Sequence, residues 1–160
     1  MFDHSFGPVF DERSRVLILG SFPSVKSREQ SFYYAHPQNR FWKVLASVFS
    51  DDVPQTTDEK KAFLAKHGVA LWDVVKRCDV VGSSDSSIRN VEPNDIHQIL
   101  SASPIETVIV NGKTAERLYN AMILPQTGVK AVCLPSTSPA NAAFSLEKLC
   151  EIWSAVLVTK

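Results

Sequence analysis

The sequence has neither a long apolar run nor a closely spaced set of cysteines, and each absence excludes a class of protein. No apolar stretch approaches the roughly 18 residues that a membrane-spanning helix needs. The polar start, MFDHSFGPVFDE, does not resemble a signal peptide. Cys78, Cys133 and Cys150 are odd in number and far apart, so they form neither a CxxC metal motif nor a disulfide framework. We therefore expect a cytoplasmic protein without a metal or cofactor.

The chain also lacks an excess of charge of either sign. Its 17 basic residues balance 17 acidic ones, which argues against broad binding to nucleic acids, because such binding depends on neutralising phosphates. A small basic patch is still compatible with this balance. With 160 residues, 44% of them hydrophobic, we expect one domain over residues 1–160, acting as a monomer.

Short apolar strands alternate with helical segments. Strands are predicted over residues 15–20, 69–75, 106–110 and 130–134. Helices are predicted over residues 39–49, 58–67, 93–102, 111–123 and 141–158, with a polar loop over 76–92. This order predicts an α/β fold with a parallel sheet covered by helices on both faces. Three strands end in polar loops, GSFPS, NGKT and LPSTSP, which a parallel sheet brings to one edge.

Three segments carry a family resemblance. Residues 20–42, GSFPSVKSREQSFYYAHPQNRFW, follow the first predicted strand, and DSSIRN and LPSTSPANA occur later. Together they resemble the uracil-DNA glycosylase superfamily, in particular its hypoxanthine-DNA (deoxyinosine) glycosylase branch. FYYAHPQNRFWKVL also resembles the mismatch-specific uracil glycosylases. The resemblance covers about residues 16–153. It implies a three-layer α/β/α sandwich with a four-stranded parallel sheet, and a monofunctional enzyme that flips a deaminated base out of DNA and cuts its glycosidic bond.

The resemblance places the chemistry on Asn39. Many superfamily members carry Asp or Asn at the third position of the first motif and His or Asn at the head of the late motif. This chain has Phe22 and Leu134 there. In the hypoxanthine branch the catalytic role belongs to the Asn of HPxNRFW, here Asn39. Its amide can orient a water, and its carbonyl can face the positive charge that develops on the sugar. A helix cap is the structural alternative, and the two roles can coexist.

Four residues are predicted to hold the flipped base. The resemblance places Tyr34 where the superfamily stacks an aromatic ring on the base, and it aligns Asp73 with the asparagine that reads the base edge in uracil glycosylases. Tyr34 would stack on it, and Phe22 with Ser21 would form a second wall. Asp73 would accept the ring N–H that hypoxanthine and uracil share, whereas adenine presents a lone pair at the equivalent atom. A core position for Tyr34, and a capping or arginine-paired role for Asp73, are the structural alternatives.

Six residues are predicted to contact the DNA backbone. They are Ser24, Ser27, Ser136, Thr137, Ser138 and Arg89. Hydroxyls and turn N–H groups bind phosphate without net charge, which reconciles a neutral protein with a DNA substrate. A salt bridge within the protein is an equal alternative for Arg89.

Three other functions remain open. A uracil-preferring mismatch glycosylase is the alternative within the family. A non-catalytic DNA- or nucleotide-binding module is conceivable because Phe22 and Leu134 replace two familiar catalytic positions. A serine hydrolase would use Ser24 or Ser136 as nucleophile and His36 as base, but the chain has no GxSxG motif.

Overall fold

Strands and helices alternate in the computed structural model, which describes residues 2–4 and 6–158, and of Asp85 only the backbone. The strands are β1 Phe2–Asp3, β2 Val16–Gly20, β3 Val69–Asp73, β4 Val75–Asp79, β5 Arg89–Pro93, β6 Thr107–Asn111 and β7 Val132–Leu134. The helices are α1 Val25–Gln30, α2 Phe41–Val48, α3 Thr57–His67, α4 His97–Ala102, α5 Lys113–Met122, α6 Leu124–Thr127 and α7 Leu146–Leu157.

The main sheet has four parallel strands in the order β3-β2-β6-β7. Leu17, Ile18 and Leu19 on β2 are fully buried, because helices cover both faces of a parallel sheet and leave no face to water. The register pairs Gly20 with Asp73 on β3. The predicted α/β class and four-stranded parallel sheet are confirmed.

The helices form two outer layers, which completes the three-layer sandwich. The connection from β2 to β3 runs one way across the sheet, and those from β3 to β6 and from β6 to β7 run the other way. Right-handed crossovers therefore place their helices on opposite faces. Helix α2 packs on α7, where Phe41 meets Trp153 edge-to-face at 6.1 Å between ring centroids. Successive strands are added on one side of β2 and then on the other, so the switch point of the sheet lies between β2 and β6. Open α/β sheets bind ligands at such a switch point.

A second, antiparallel sheet was not predicted. It has the order β1-β4-β5. Except for Val75 and Pro93, β4 and β5 lie within residues 76–92, which the sequence pattern assigns to a loop. The two strands, VKRCD and RNVEP, are polar and pair with shifts in register. Without an apolar run they show no strand signal. Helix α7 also begins later than predicted, at Leu146 rather than residue 141.

One hydrophobic core extends through the part of the chain that the structure describes. The predicted single domain over 1–160 also includes Met1, Ser5, Thr159 and Lys160, which lie outside the described residues. Within the described ranges, no helix is long and apolar enough to cross a membrane.

Candidate active site

A pocket of about 310 Å³ lies at the carboxyl edge of the main sheet, within the usual size range of ligand sites. All four parallel strands lead into its wall. Ten of the predicted site residues line it: Ser21, Phe22, Ser24, Ser27, Tyr34, Asn39, Asp73, Ser136, Thr137 and Ser138. The predicted meeting of strand-end loops at one edge thus produces a real cavity.

The side chain of Asp73 fits into this pocket only because residue 20 is a glycine. A Cβ atom built on Gly20 would lie 2.5 Å from Oδ1 of Asp73 and 3.2 Å from the hydroxyl oxygen of Tyr34. Contacts of 2.5 Å between these atom types do not occur, so any larger residue would displace the carboxylate. Asp73 itself is 4% exposed. The first-motif glycine therefore makes room for the predicted base reader.

Asp73 has a partner that sequence reasoning missed. Nε2 of His4 lies 2.8 Å from Oδ2 of Asp73, which is neither the capping nor the arginine pairing considered for this carboxylate. The small sheet positions His4, whose backbone N–H donates to the carbonyl of Lys76 at 2.7 Å. Because the two residues are 69 positions apart, only a lone histidine is visible in the sequence.

Asn39 belongs to a hydrogen-bonded chain that orients its amide. Oδ1 of Asn39 accepts the Thr137 hydroxyl at 2.9 Å and the Phe41 backbone N–H at 3.0 Å. Nδ2 of Asn111 donates to the same hydroxyl at 3.1 Å, and Oδ1 of Asn111 accepts the Thr137 N–H at 3.1 Å. The side-chain carbonyl of Asn39 thus satisfies the first N–H of α2, and the residue lines the pocket. Asn111 was missed, although its place at the end of a predicted strand was a signal.

Arg40 joins the two main motifs. Its guanidinium donates to four backbone carbonyls of the loop before α7, those of Thr137 at 3.4 Å, Ser138 at 2.8 Å, Asn141 at 3.1 Å and Phe144. Its backbone N–H also donates to the carbonyl of Thr137 at 3.1 Å. HPQNRFW and LPSTSP, almost 100 residues apart in the chain, are therefore fixed to each other.

Tyr34 supplies an aromatic wall held from behind. Its ring stacks on Phe41 at 3.9 Å between centroids and 18° between planes. Its φ of 52° is uncommon for a residue with a side chain and is held only where the surroundings fix it. Phe22, 9% exposed, forms another part of the wall. One face of Tyr34 is thus occupied by Phe41, and the opposite face is the one that a base could cover.

Two of the residues predicted to contact phosphate have internal roles. Ser27 is 2% exposed, and its Oγ accepts the Ala35 N–H at 3.1 Å and the Ser24 hydroxyl at 3.2 Å. Thr137 is fully buried and orients Asn39. The geometry therefore favours structural and positioning roles for Ser27 and Thr137. Ser24 caps α1 and remains half-buried at the pocket.

The other phosphate candidates lie closer to solvent. Ser136 and Ser138 line the pocket, each half-buried, and Oγ of Ser136 accepts the Ser138 N–H at 3.1 Å. Arg89 is exposed on β5 and donates to the carbonyls of Ser86 and Ile88 at 3.0 and 2.8 Å. Arg89 is thus the one predicted residue that does not line the pocket.

The contacts of the serines do not favour a serine hydrolase. Nδ1 of His36 accepts the backbone N–H of Gln38 at 3.1 Å, and Oγ of Ser24 accepts the N–H of Ser27 at 3.1 Å. Both contacts are local, and neither pairs a serine with a histidine as nucleophilic catalysis requires. Among the described residues, no group of three His, Cys, Asp or Glu side chains could hold a metal ion.

Fold and pocket together define an α/β/α protein with a carboxylate, an amide and aromatic rings around a cavity at the switch point of its sheet. Residues 8–157 match the family model of the uracil DNA glycosylase superfamily. The chain belongs to this superfamily, as its motifs indicated.

Named relatives support a narrower comparison. The chain is 35% identical over 161 residues to a hypoxanthine DNA glycosylase of Methanosarcina acetivorans, covering 98% of both chains. It is 34% identical over 138 residues to a hypoxanthine DNA glycosylase of Methanosarcina barkeri, covering 85% of this chain and 86% of the relative. A solution NMR structure of a M. acetivorans protein proposed to be a uracil DNA glycosylase aligns with a TM-score of 0.81 at 34% identity, covering 95% and 94% of the two chains.

Proposed function

We propose that this protein is a monofunctional DNA glycosylase that excises hypoxanthine from deoxyinosine-containing DNA in base excision repair. The observation that carries the proposal is the buried carboxylate of Asp73 on the wall of a pocket that also holds Asn39 and Tyr34. The superfamily and the names of the relatives from Methanosarcina support the same reaction and a DNA substrate. A monomeric, cytoplasmic enzyme remains a prediction.

Asp73 selects the deaminated base. The flipped base enters the pocket, where Tyr34 stacks on it and Phe22 borders it. An ionised carboxylate only accepts hydrogen bonds, so Asp73 accepts the ring N–H of hypoxanthine. Adenine directs a lone pair at the same place, and burying two unpaired acceptors against each other costs about 1–3 kcal/mol or more. Hypoxanthine is therefore retained and adenine is rejected.

Asn39 positions the water. The bond between C1′ and the base nitrogen breaks, the sugar gains oxocarbenium character, and the base departs with the bonding electrons. Because the carbonyl of Asn39 is engaged by Thr137 and Phe41, we assign the water contact to its NH₂ group, which donates to the water oxygen. The other lone pair of that oxygen attacks C1′. The proton that the water releases ends on the base, so the products are free hypoxanthine and an abasic site.

Duplex oligonucleotides with one deoxyinosine, one deoxyuridine or only normal bases test this function. We expect alkali-labile abasic sites in the inosine duplex under single-turnover conditions. Asn39→Ala should lower the rate roughly 100- to 1,000-fold, the usual effect of removing one preorganised polar group. Asn120→Ala, an exposed asparagine of α5 outside the pocket, is the matched control.

Each other outcome identifies a different protein. Hypoxanthine and uracil share an N–H beside a carbonyl, so the Asp73 carboxylate also fits uracil. Faster cleavage of the uracil duplex would establish the uracil-preferring alternative. Tight binding of both duplexes without any abasic site, unchanged in Asn39→Ala, would establish a non-catalytic binding module and refute the proposal.

A further inference from the structure

A buried histidine near the start of the chain, His4, contacts Asp73 from outside the set of residues that line the pocket. Nε2 of His4 lies 2.8 Å from Oδ2 of Asp73, and the two side chains are 3% and 5% exposed. We propose that His4 is a specificity-determining positioning residue, which donates Nε2–H to Asp73 and so keeps this carboxylate a pure acceptor for the base. The inference rests on the proposed function and adds a residue that lies outside the recognised motifs.

The surroundings of His4 fix the direction of this hydrogen bond. Rings of Phe6, Tyr33 and Phe22 surround the imidazole at 4.6, 5.9 and 6.1 Å between centroids. Within the described ranges, Nδ1 of His4 is buried and has no hydrogen-bond partner. A protonated imidazolium would bury a second N–H without an acceptor, which is costly. The neutral Nε2–H tautomer leaves only a lone pair among the rings, so His4 is the donor and Asp73 the acceptor.

This donor matters because it engages one oxygen of a carboxylate that is only 4% exposed. Within the described residues, the titratable groups that contact this carboxylate or respond to its charge include His4 and the phenol of Tyr33. Burial, followed by the negative charge of Asp73, raises the pKa of Tyr33 well above its ordinary range, so this phenol stays neutral. Without this donor the buried carboxylate loses a hydrogen bond and is free to turn. The oxygen that accepts the base N–H would then no longer be held in place, and discrimination against adenine would fall.

The two oxygens of the Asp73 carboxylate have different neighbours. Oδ2 of Asp73 bonds to His4, whereas Oδ1 lies against Gly20, in space that a Cβ atom on residue 20 would fill. The orientation of the base-reading oxygen therefore depends on the bond that holds the other one. His4 does not need to touch the base to determine which base is bound.

The decisive experiment compares His4→Leu, which removes the donor, with His4→Gln, whose amide nitrogen reaches a similar place. Phe6→Leu is the control for packing, because Phe6 touches the imidazole without contacting Asp73 through a hydrogen bond. Single-turnover excision of inosine and of adenine is measured in otherwise identical duplexes. The ratio of the two rates does not depend on the fraction of folded protein.

We expect His4→Leu to lower the inosine-to-adenine ratio roughly 10- to 100-fold, the loss of one charge-assisted hydrogen bond. His4→Gln should restore the ratio to within about threefold of the wild type, and Phe6→Leu should preserve it. An unchanged ratio in His4→Leu, or an equal fall in His4→Leu and His4→Gln, would overturn the proposal.

Two further measurements keep the inference independent of catalysis and of the Leu variant. ¹⁵N NMR of the wild type should show the neutral Nε2–H tautomer of His4, and an Nδ1–H tautomer or an imidazolium at neutral pH would refute it. If the wild type fails to excise inosine, the proposed function fails. In that case, the ratio of the dissociation constants for free hypoxanthine and free adenine, measured for the same variants, still tests His4. A wild type that binds neither base refutes both the proposed function and the role of His4.

Discussion

Thr137→Val tests whether the buried hydroxyl of Thr137 controls the chemistry through Asn39. Valine keeps the branched shape of threonine but neither donates to Oδ1 of Asn39 nor accepts from Nδ2 of Asn111, contacts of 2.9 and 3.1 Å in the structure. We expect the Thr137 hydroxyl to act on the reaction only through the two side chains that it bonds to, Asn39 and Asn111. Any loss of rate then comes from the orientation of the amide.

The expected size follows from the bonds that remain. Asn39 keeps the Phe41 N–H at 3.0 Å, so only one of two orienting hydrogen bonds is lost. A neutral hydrogen bond contributes about 0.5–1.5 kcal/mol, which predicts a fall of roughly two- to tenfold in the excision rate. The amide of Asn111 also loses an acceptor, which should lower the free energy of unfolding by about 1–3 kcal/mol.

Single-turnover excision of inosine, with enzyme titrated to saturation, separates these effects from binding. The maximal rate should fall in Thr137→Val, whereas the enzyme concentration that gives half of it should stay constant, because the proposed base contacts of Asp73 and Tyr34 are not changed. Thr137→Ser retains the hydroxyl and should match the wild type. A wild-type maximal rate in folded Thr137→Val, or an equal loss in Thr137→Ser, would refute the argument.

Two more predictions concern space and charge. Gly20→Ala places a Cβ 2.5 Å from Oδ1 of Asp73, and displacing the carboxylate should slow inosine excision on the order of 100-fold. Gly7→Ala is the control and should leave the rate unchanged, because a Cβ there meets nothing within 4 Å. Equal rates for both variants would contradict the steric argument. Hydrogen bonding from His67 is the main cause that lowers the pKa of Asp51 from its usual 3.8 to about 2, so the ionised carboxylate stabilises the fold above pH 4 and loses this contribution as the pH falls toward 2. Asp51→Asn should therefore be less stable than the wild type at pH 7, with a difference in urea midpoints that shrinks between pH 4 and pH 2; a constant difference over that range would contradict the assignment.

The main sheet could be predicted because its strands carry their signal locally. The segment predicted over residues 15–20 became β2, Val16–Gly20, since an uninterrupted apolar run is what burial on both faces requires. Asp73 and Asn39 could be proposed as site residues because their segments resemble the superfamily's motifs. A parallel sheet then brings the ends of its strands to one edge, where both residues line the pocket.

The small sheet and the contacts of two site residues could not be predicted, because they depend on partners distant in the chain. Strand β4 is polar and becomes a strand only by pairing with β1 and β5. His4 contacts Asp73 across 69 positions, and Asn111 contacts Thr137 across 26. His4 does not differ in the sequence from an ordinary surface histidine. Asn111 follows a predicted strand, but nothing in the sequence shows that Thr137 is its partner.

Arg40 has a consequence for how such proteins can be recombined. Its guanidinium serves carbonyls of the loop before α7, including those of Ser138 and Asn141, so the helix start that carries Asn39 and the loop that carries Thr137 have one shared anchor. A chimera that exchanges either segment alone would keep this anchor only where the new helix start has an arginine at position 40 and the loop holds its backbone carbonyls in the same places. The two segments are therefore a single module for grafting, although more than 90 residues of chain separate them.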